Sequence, residues 1–274
     1  MNPVIHSKNE QAAGKAFDKQ ASIFDELYSS NIIIQYKRQR VRDHVMQYLP
    51  PAGNILELNS GTGEDAVWFA QHGYSVHATD ISEVMLLQLK KKIDSAGLSG
   101  KITSERCSYT ALEGLQNRGP YDYIFSNFAG LNCTGELEKV LKSFSGLLKP
   151  GGKITLVILP AFCLWETLLL FKGKFKTAFR RFFSKNGAPA HIEGKYFTCW
   201  YYNPSFIIRA LKNEFRFLSI EGLCTVVPPS YLENFPIKYP GLYSKLMKLE
   251  NRWKSKWPWR MTGDYYIISL EKKD

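Results

Sequence analysis

The sequence predicts an α/β fold in which a parallel sheet is covered by helices on both faces. Three observations predict it. Short strand-like segments recur at 54–59, 75–80, 102–108, 121–127 and 153–159. Helix-like stretches near 64–72, 82–96 and 134–148 separate them, and such alternation builds parallel sheets. The first strand also runs into a glycine turn before the first of these helices, in "ILELNSGTGEDAVWFA". With 274 residues and 45% hydrophobic content, the chain can bury a full core.

The elements follow in order. Residues 15–49 carry apolar positions at mixed three- and four-residue steps and read as helical, with Pro50, Pro51 and Gly53 ending the run. The alternating series occupies the middle of the chain. Beyond it, 160–203 is an aromatic, basic insertion. Asn203-Pro204 opens a helix near 204–213, and a strand follows near 216–226. A second insertion, 227–262, is rich in Pro, Trp and Tyr, and "YYIISLEKK" is the last strand.

Composition narrows the class. No apolar run approaches the roughly 18 residues of a membrane span. The polar start, "MNPVIHSKNEQAAGKAF", lacks the apolar stretch of a secretion signal. Cys107, Cys133, Cys163, Cys199 and Cys224 are odd in number and widely spaced, which fits reduced thiols in a cytoplasmic protein and no metal site. The net charge of +11 sits largely in "KGKFKTAFRRFFSK" (172–185) and "KYPGLYSKLMKLENRWKSKWPWR" (238–260). Nucleic acid, an anionic substrate or a membrane surface would each attract such segments, and a solvated helix face would explain them equally well.

The glycine turn carries the chemistry. Gly61 and Gly63 have no Cβ, so the backbone can bend tightly and approach a ligand. Asn59, where a third glycine is expected, is among the few residues that tolerate left-handed angles. Gly61-x-Gly63-x-x-Ala66 with Asp80 downstream satisfies a dinucleotide pattern. Against that reading, Glu57 sits inside the first strand, where a carboxylate repels a pyrophosphate and suits an ammonium- or sulfonium-bearing ligand.

The run E-x-N-x-G-x-G from Glu57 resembles E-x-G-x-G-x-G of the class I S-adenosylmethionine (SAM)-dependent methyltransferases, with the first glycine replaced. The resemblance spans roughly 50–160, and more weakly 203–226 and 264–272. "LLKPGGKITLVIL" is similar to the family's turn into its fifth strand, while "ELNSGTGEDA" and "FSNFAGLNC" resemble a bacterial subgroup acting on small molecules. The resemblance implies a Rossmann-like, seven-stranded, mostly parallel sheet with helices on both faces and an antiparallel last strand. It also implies an N-terminal helical cover over 1–49 and a SAM-binding domain over 50–274, with lid insertions at 160–203 and 227–262.

Carried over residue by residue, the resemblance has Glu57, Asn59, Gly61 and Gly63 holding the amino-acid end of SAM. Asp80 would accept from both ribose hydroxyls and Ile81 would pack on adenine. Cys107, Ser108 and Tyr109 would edge the adenine, with Ser108 standing where many relatives have Asp. Asn127 and Phe128 would lie beside the reactive methyl.

The implied reaction is methyl transfer to an O or N atom of a small-molecule acceptor, aromatic, lipid-like or anionic. Acceptors with a hydroxyl usually need a proton removed. His191 in the first insertion is the candidate base. Tyr28 is the candidate cover contact, with Glu166 and Tyr196 behind them. His72, His77 and His44 read as structural, and His6 precedes the core. Amino-methylating DNA enzymes place an [N/D]-P-P-aromatic run after the fourth strand, where this chain has Asn127-Phe128-Ala129-Gly130. That argues against nucleic acid, although RNA ribose or tRNA targets do not require the motif. Peripheral membrane contact through the basic segments, and a SAM-binding regulator or scaffold without methyl transfer, remain open readings at this point.

Overall fold

The computed structural model describes residues 8–274 apart from 174, 183, 185 and 193, so His6 lies outside the described residues. The helical reading over 15–49 resolves into three helices, α1 (Lys8–Asp18), α2 (Phe24–Ser29) and α3 (Ile32–Val45). The interruption has a local cause. The Asn31 side chain accepts from the backbone of Ile33 at 3.0 Å and Ile34 at 3.1 Å, capping α3 and starting it afresh.

The alternating unit follows as β1 (Asn54–Leu58), α4 (Glu64–Gln71), β2 (Ser75–Asp80), α5 (Glu83–Ser95), β3 (Ile102–Arg106), β4 (Tyr121–Ser126), α6 (Leu137–Ser143) and β5 (Leu148–Ile158). The first insertion forms α7 (Leu164–Leu168), α8 (Phe175–Phe179) and a separate hairpin of β6 (Ala188–Ile192) and β7 (Lys195–Cys199). Then come α9 (Pro204–Leu211), β8 (Phe215–Leu223), α10 (Phe235–Lys238), α11 (Pro240–Trp253) and β9 (Tyr265–Lys272).

The sheet has seven strands in the order β3-β2-β1-β4-β5-β9-β8, and β9 runs antiparallel to both of its neighbours. Side chains alternate across it. Leu56, Leu58 and Ile124 join the core under α6 and α9, whereas Ile55, Tyr123 and Phe125 join the core under α4 and α5. By the same alternation Glu57 shares the face of Ile55, toward α4.

Strands β1, β3 and β4 stop earlier than expected, at Leu58, Arg106 and Ser126. Asn59, Cys107, Ser108, Asn127 and Phe128 therefore lie on loops at the carboxyl edge of the sheet. Among parallel strands, that edge is where ligands bind.

A buried charge network ties α3 to β8 and α11. Arg40 bridges Glu221 at 3.0 Å and Glu250 at 3.4 Å. Glu250, fully buried, accepts the backbone N–H groups of Cys224, Thr225, Val226 and Val227 at 2.8–2.9 Å.

Candidate functional site

Two adjoining cavities open at the carboxyl edge. The first is narrow, about 140 Å3, and is lined by Glu57, Asn59, Gly61, Asp80, Ile81, Tyr109, Asn127 and Phe128 among others. Gly63, Cys107 and Ser108 do not line it and stand one layer behind. The second, about 400 Å3, shares Phe17, Phe24, Arg38, Phe128 and Cys133 with the first and extends under the first insertion.

The turn is built by contacts that its sequence makes necessary. Asn59 has φ +46°, Gly61 +57° and Gly63 +79°. A Cβ on Gly63 would meet Leu89 Cδ1 at 2.1 Å, so Gly63 lets α4 pack on α5. A Cβ on Gly61 would meet nothing within 4 Å, because that face of the turn is open to the cavity. Asp80 receives the Gly61 N–H at 2.9 Å on one oxygen and the Ser82 N–H at 2.8 Å on the other. Burial raises its pKa, with those two bonds opposing.

Asn59 does more than tolerate the bend. Its Nδ2 donates to the Asn127 carbonyl at 2.9 Å, and its Oδ1 accepts from Ser126 Oγ at 2.6 Å, lacing the end of β1 to the end of β4. The space its side chain takes is left free by Gly130, where a Cβ would meet Asn59 Cγ at 2.2 Å. Gly130→Ala is therefore expected to destabilise the protein by about 1–3 kcal/mol through overpacking. Asn59→Gly in the same chain should recover much of that loss, which urea unfolding of the four-member cycle would detect as non-additivity.

Glu57 is buried, and its Oε2 has no hydrogen-bond partner among the described residues. Burial raises its pKa well above the ordinary 4.5, with Asp65 and Asp80 adding to the rise and Arg38 and Arg42 opposing it. A buried acceptor without a donor is costly, and an ammonium group would satisfy it. Asp65, missed by sequence reading, organises this corner. It takes Arg38 at 3.1 Å, Arg42 at 3.0 Å and Asn127 Nδ2 at 2.7 Å. Burial acts to raise its pKa, but Arg38 and Arg42 outweigh that and hold it low. Asn127 is thus committed to Asp65. Phe128 and Ala129 follow in left-handed conformations, φ +44° and +64°, which cost about 1–3 kcal/mol each and turn the Phe128 ring into both cavities.

The N-terminal helices roof the first cavity. Glu10 on α1, buried, accepts from Ser108 Oγ at 2.5 Å and Thr110 Oγ1 at 3.0 Å, which puts an acid beside the position where Ser108 departs from the family. Burial raises the Glu10 pKa, with both hydroxyls opposing. Gly14 of α1 lies over Ile81, 3.0 Å from a Cβ built on it, and Asp25 accepts from Thr62 Oγ1 at 2.6 Å. Nothing in the periodicity of α1 singles out Glu10. Only the docking of the helix does.

The second cavity is walled by Tyr28, Phe128, Tyr201 and Tyr265. Tyr28 therefore sits at the cavity, its ring centre 4.3 Å from that of Phe24 with the planes tilted by 41°, and burial raises its pKa. His191 does not reach it. On β6 the neighbours Ala190 and Ile192 line the cavity, so strand alternation turns His191 to the exposed side, 4.6 Å from the exposed Tyr196 ring. Glu166 is buried at the cavity and bridges Arg180 at 2.6 Å and Arg181 at 2.8 Å. Cys163, Glu166 and Asp264 bring ligand-type atoms within 4.8 Å of one another, but the Arg181 guanidinium bonds both carboxylates and occupies that position.

Elsewhere, His44 meets Ser269 at 2.9 Å, His72 meets the Trp68 carbonyl at 2.7 Å and His77 meets Thr103 at 2.7 Å, all away from both cavities. No described helix is long and apolar enough to cross a membrane.

Comparison with known proteins bears on this geometry. The family described as "Methyltransferase domain" matches residues 55–152, which hold the turn, Asp80 and the end of β4. A SAM-dependent Diels–Alderase of Talaromyces variabilis is 32% identical over 122 residues, 43% of this chain and 41% of that protein. A ubiquinone/menaquinone biosynthesis C-methyltransferase of Bdellovibrio bacteriovorus is 28% identical over 153 residues, 54% of this chain and 62% of that protein. The chain thus spans about half the length of such relatives. Among solved structures, the [4+2]-cyclase SpnF superposes with TM-score 0.63 at 15% identity, covering 98% of both chains. A SAM-dependent methyltransferase from Listeria monocytogenes, described as putative, gives 0.60 at 19% identity, covering 85% of this chain and 96% of that one. These superpositions speak to the fold alone.

Proposed function

We propose that the chain, whose residues 55–152 match a methyltransferase domain, acts as a class I SAM-dependent methyltransferase and transfers the methyl group of SAM to an O or N atom of a small molecule held in the second cavity. The observation that carries this reading is the junction of the two cavities at Phe128. The first is lined by Glu57, Asn59, Gly61 and Asp80 of the turn and its flanking strands, and the second is large enough, at about 400 Å3, for a compact aromatic or lipid-like molecule.

In this reading Glu57 takes the ammonium of SAM, Asp80 the ribose hydroxyls, and Ile81 with Met85 packs on the adenine, whose amine Glu10 faces. The sulfonium makes the methyl electrophilic when SAM is bound. What the protein adds is placement and exclusion of water, which in favourable cases is worth about 7–11 kcal/mol. The first cavity, at about 140 Å3, is narrower than the roughly 300–1,000 Å3 of small-ligand sites, so α1 and α2 yield as the cofactor enters.

A second reading is SAM binding without methyl transfer; one relative is named a SAM-dependent Diels–Alderase. It is favoured by the absence of histidine from the described lining of the second cavity and by the tying of Glu166 and Asp264 to Arg181. Exposed Phe171, Phe175, Phe179 and Phe182 beside the cavity's Arg180 and Arg181 support delivery of a lipophilic acceptor from a membrane surface.

Incubation with methyl-labelled SAM and a small-molecule extract tests the two readings. Extract-dependent formation of S-adenosylhomocysteine with label in an organic product supports transfer. SAM binding without that product favours the second reading.

Cofactor binding should also release a proton. Glu57 is partly protonated in the free protein above its ordinary value of 4.5, and a bound ammonium lowers its pKa. The complex then holds fewer protons, so affinity should rise with pH from about 4.5 upward and level off once free Glu57 is ionised. Titration calorimetry in buffers of different ionisation enthalpy would read the release of up to about one proton.

A further inference from the structure

We propose that Lys37 anchors an anionic acceptor, and that the acceptor is an acidic phenol or enol bound as its anion on a flat apolar body. The proposal rests on the methyl-transfer reading above and names the acceptor class of the same site.

Lys37 is 3% exposed and lines the second cavity. Its ammonium meets one acceptor among the described residues, Ser230 Oγ at 3.1 Å, and forms no salt bridge with a described carboxylate. It lies 4.7 Å from the centre of the Tyr265 ring and 5.4 Å from that of Phe128. Two of its three protons are thus directed only at ring faces or cavity. Burying a cation without a counter-ion is costly, and the cation–π contacts return part of the cost.

The other charges at this cavity are spent. Arg38 is bonded to Asp65, while Glu166 and Asp264 are bonded to Arg181. With Arg38 answered by Asp65, and Arg180 and Arg181 by Glu166 and Asp264, Lys37 is the cation of the described lining that no described carboxylate pairs. The rings of Phe128, Tyr201 and Tyr265 supply flat walls around the ammonium. A planar molecule with one acidic oxygen fits that combination: the oxygen on Lys37, the body between the rings.

The same contact removes the need for a base, consistent with His191 facing away. The acceptor gives its proton to solvent before or as it binds, and Lys37 favours the anion. Its oxygen lone pair then forms the new bond to the methyl carbon, the carbon–sulfur bond breaks with its electrons on sulfur, and S-adenosylhomocysteine and a neutral ether result. The ether no longer carries the charge that Lys37 held, so product leaves more readily than substrate.

The test uses the full chain saturated with S-adenosylhomocysteine, titrated with para-nitrophenol, whose anion absorbs visible light, and with its methyl ether para-nitroanisole. The phenolate should bind the wild type about thirtyfold more tightly than Lys37→Met, with its apparent pKa lowered on binding only in the wild type. Lys37→Arg should restore most of the preference, and the ether should bind wild type and Lys37→Met alike. Equal phenolate binding by wild type and Lys37→Met, or a wild-type preference for the ether, would overturn the proposal while homocysteine-product binding leaves the cofactor reading standing. Failure of the wild type to bind S-adenosylhomocysteine would overturn both.

Discussion

Glu250→Ala is expected to cost about 3–5 kcal/mol of folding stability, the cost of breaking a buried ion pair by removing one partner. The carboxylate has no exposed surface and terminates four backbone N–H groups of residues 224–227, the Arg40 guanidinium and the Tyr36 hydroxyl at 3.2 Å. Alanine leaves all of these without that acceptor in a site closed to water. The loop they form connects β8 to the second insertion, so the loss falls where α3, β8 and α11 meet. Urea unfolding would read it as a lower midpoint, and thermal unfolding as a fall of roughly 10 °C. Glu250→Gln should fall between the two, because its amide keeps one acceptor and turns a donor toward the N–H groups. A loss below about 1 kcal/mol for alanine would mean that water replaces the carboxylate in solution.

Asp80→Ala is expected to weaken SAM and S-adenosylhomocysteine binding by about a hundredfold or more. Hydrogen bonds to a charged acceptor contribute about 1.5–3 kcal/mol each, and the proposed ribose contacts supply two. The substitution also frees the Gly61 and Ser82 N–H groups that Asp80 now holds, which loosens the turn itself. Asp80→Asn separates the effects: its one acceptor oxygen can hold one N–H, while the charge facing the ribose is gone. Calorimetric titration against both ligands, with melting curves run alongside, distinguishes lost binding from lost folding. Retained affinity in Asp80→Ala would remove the ribose role, and NAD binding by the wild type would replace the cofactor.

Much of the scaffold is legible in the sequence. Strand–helix alternation is a local signal, since each element shows its own period and its own stop, and the five central strands fall within a few residues of where those signals place them, β5 starting five residues early. Ser82 illustrates the same point, capping α5 through its bond to the Met85 N–H at 3.0 Å. The turn residues were legible because positive φ restricts residue type, and Asn59, Gly61 and Gly63 all adopt it. Where the local signal misled, a tertiary contact explains it. His191 has the chemistry of a base, but the one-residue alternation of β6 decides which face it shows.

Sequence by itself determined the parallel sheet, the turn at the end of β1 and the acids Glu57 and Asp80, because each depends on residues near one another in the chain. Only the tertiary structure decided that Glu10 reaches Ser108 across 98 positions, that Asn59 fills the space left by Gly130, and that Lys37 comes to lie buried beside Tyr265 with no carboxylate partner among the described residues. The physical reason is that burial and charge pairing belong to contacts between distant segments. A lysine reads the same in every helix until packing shows whether an acid, water or an open cavity faces it.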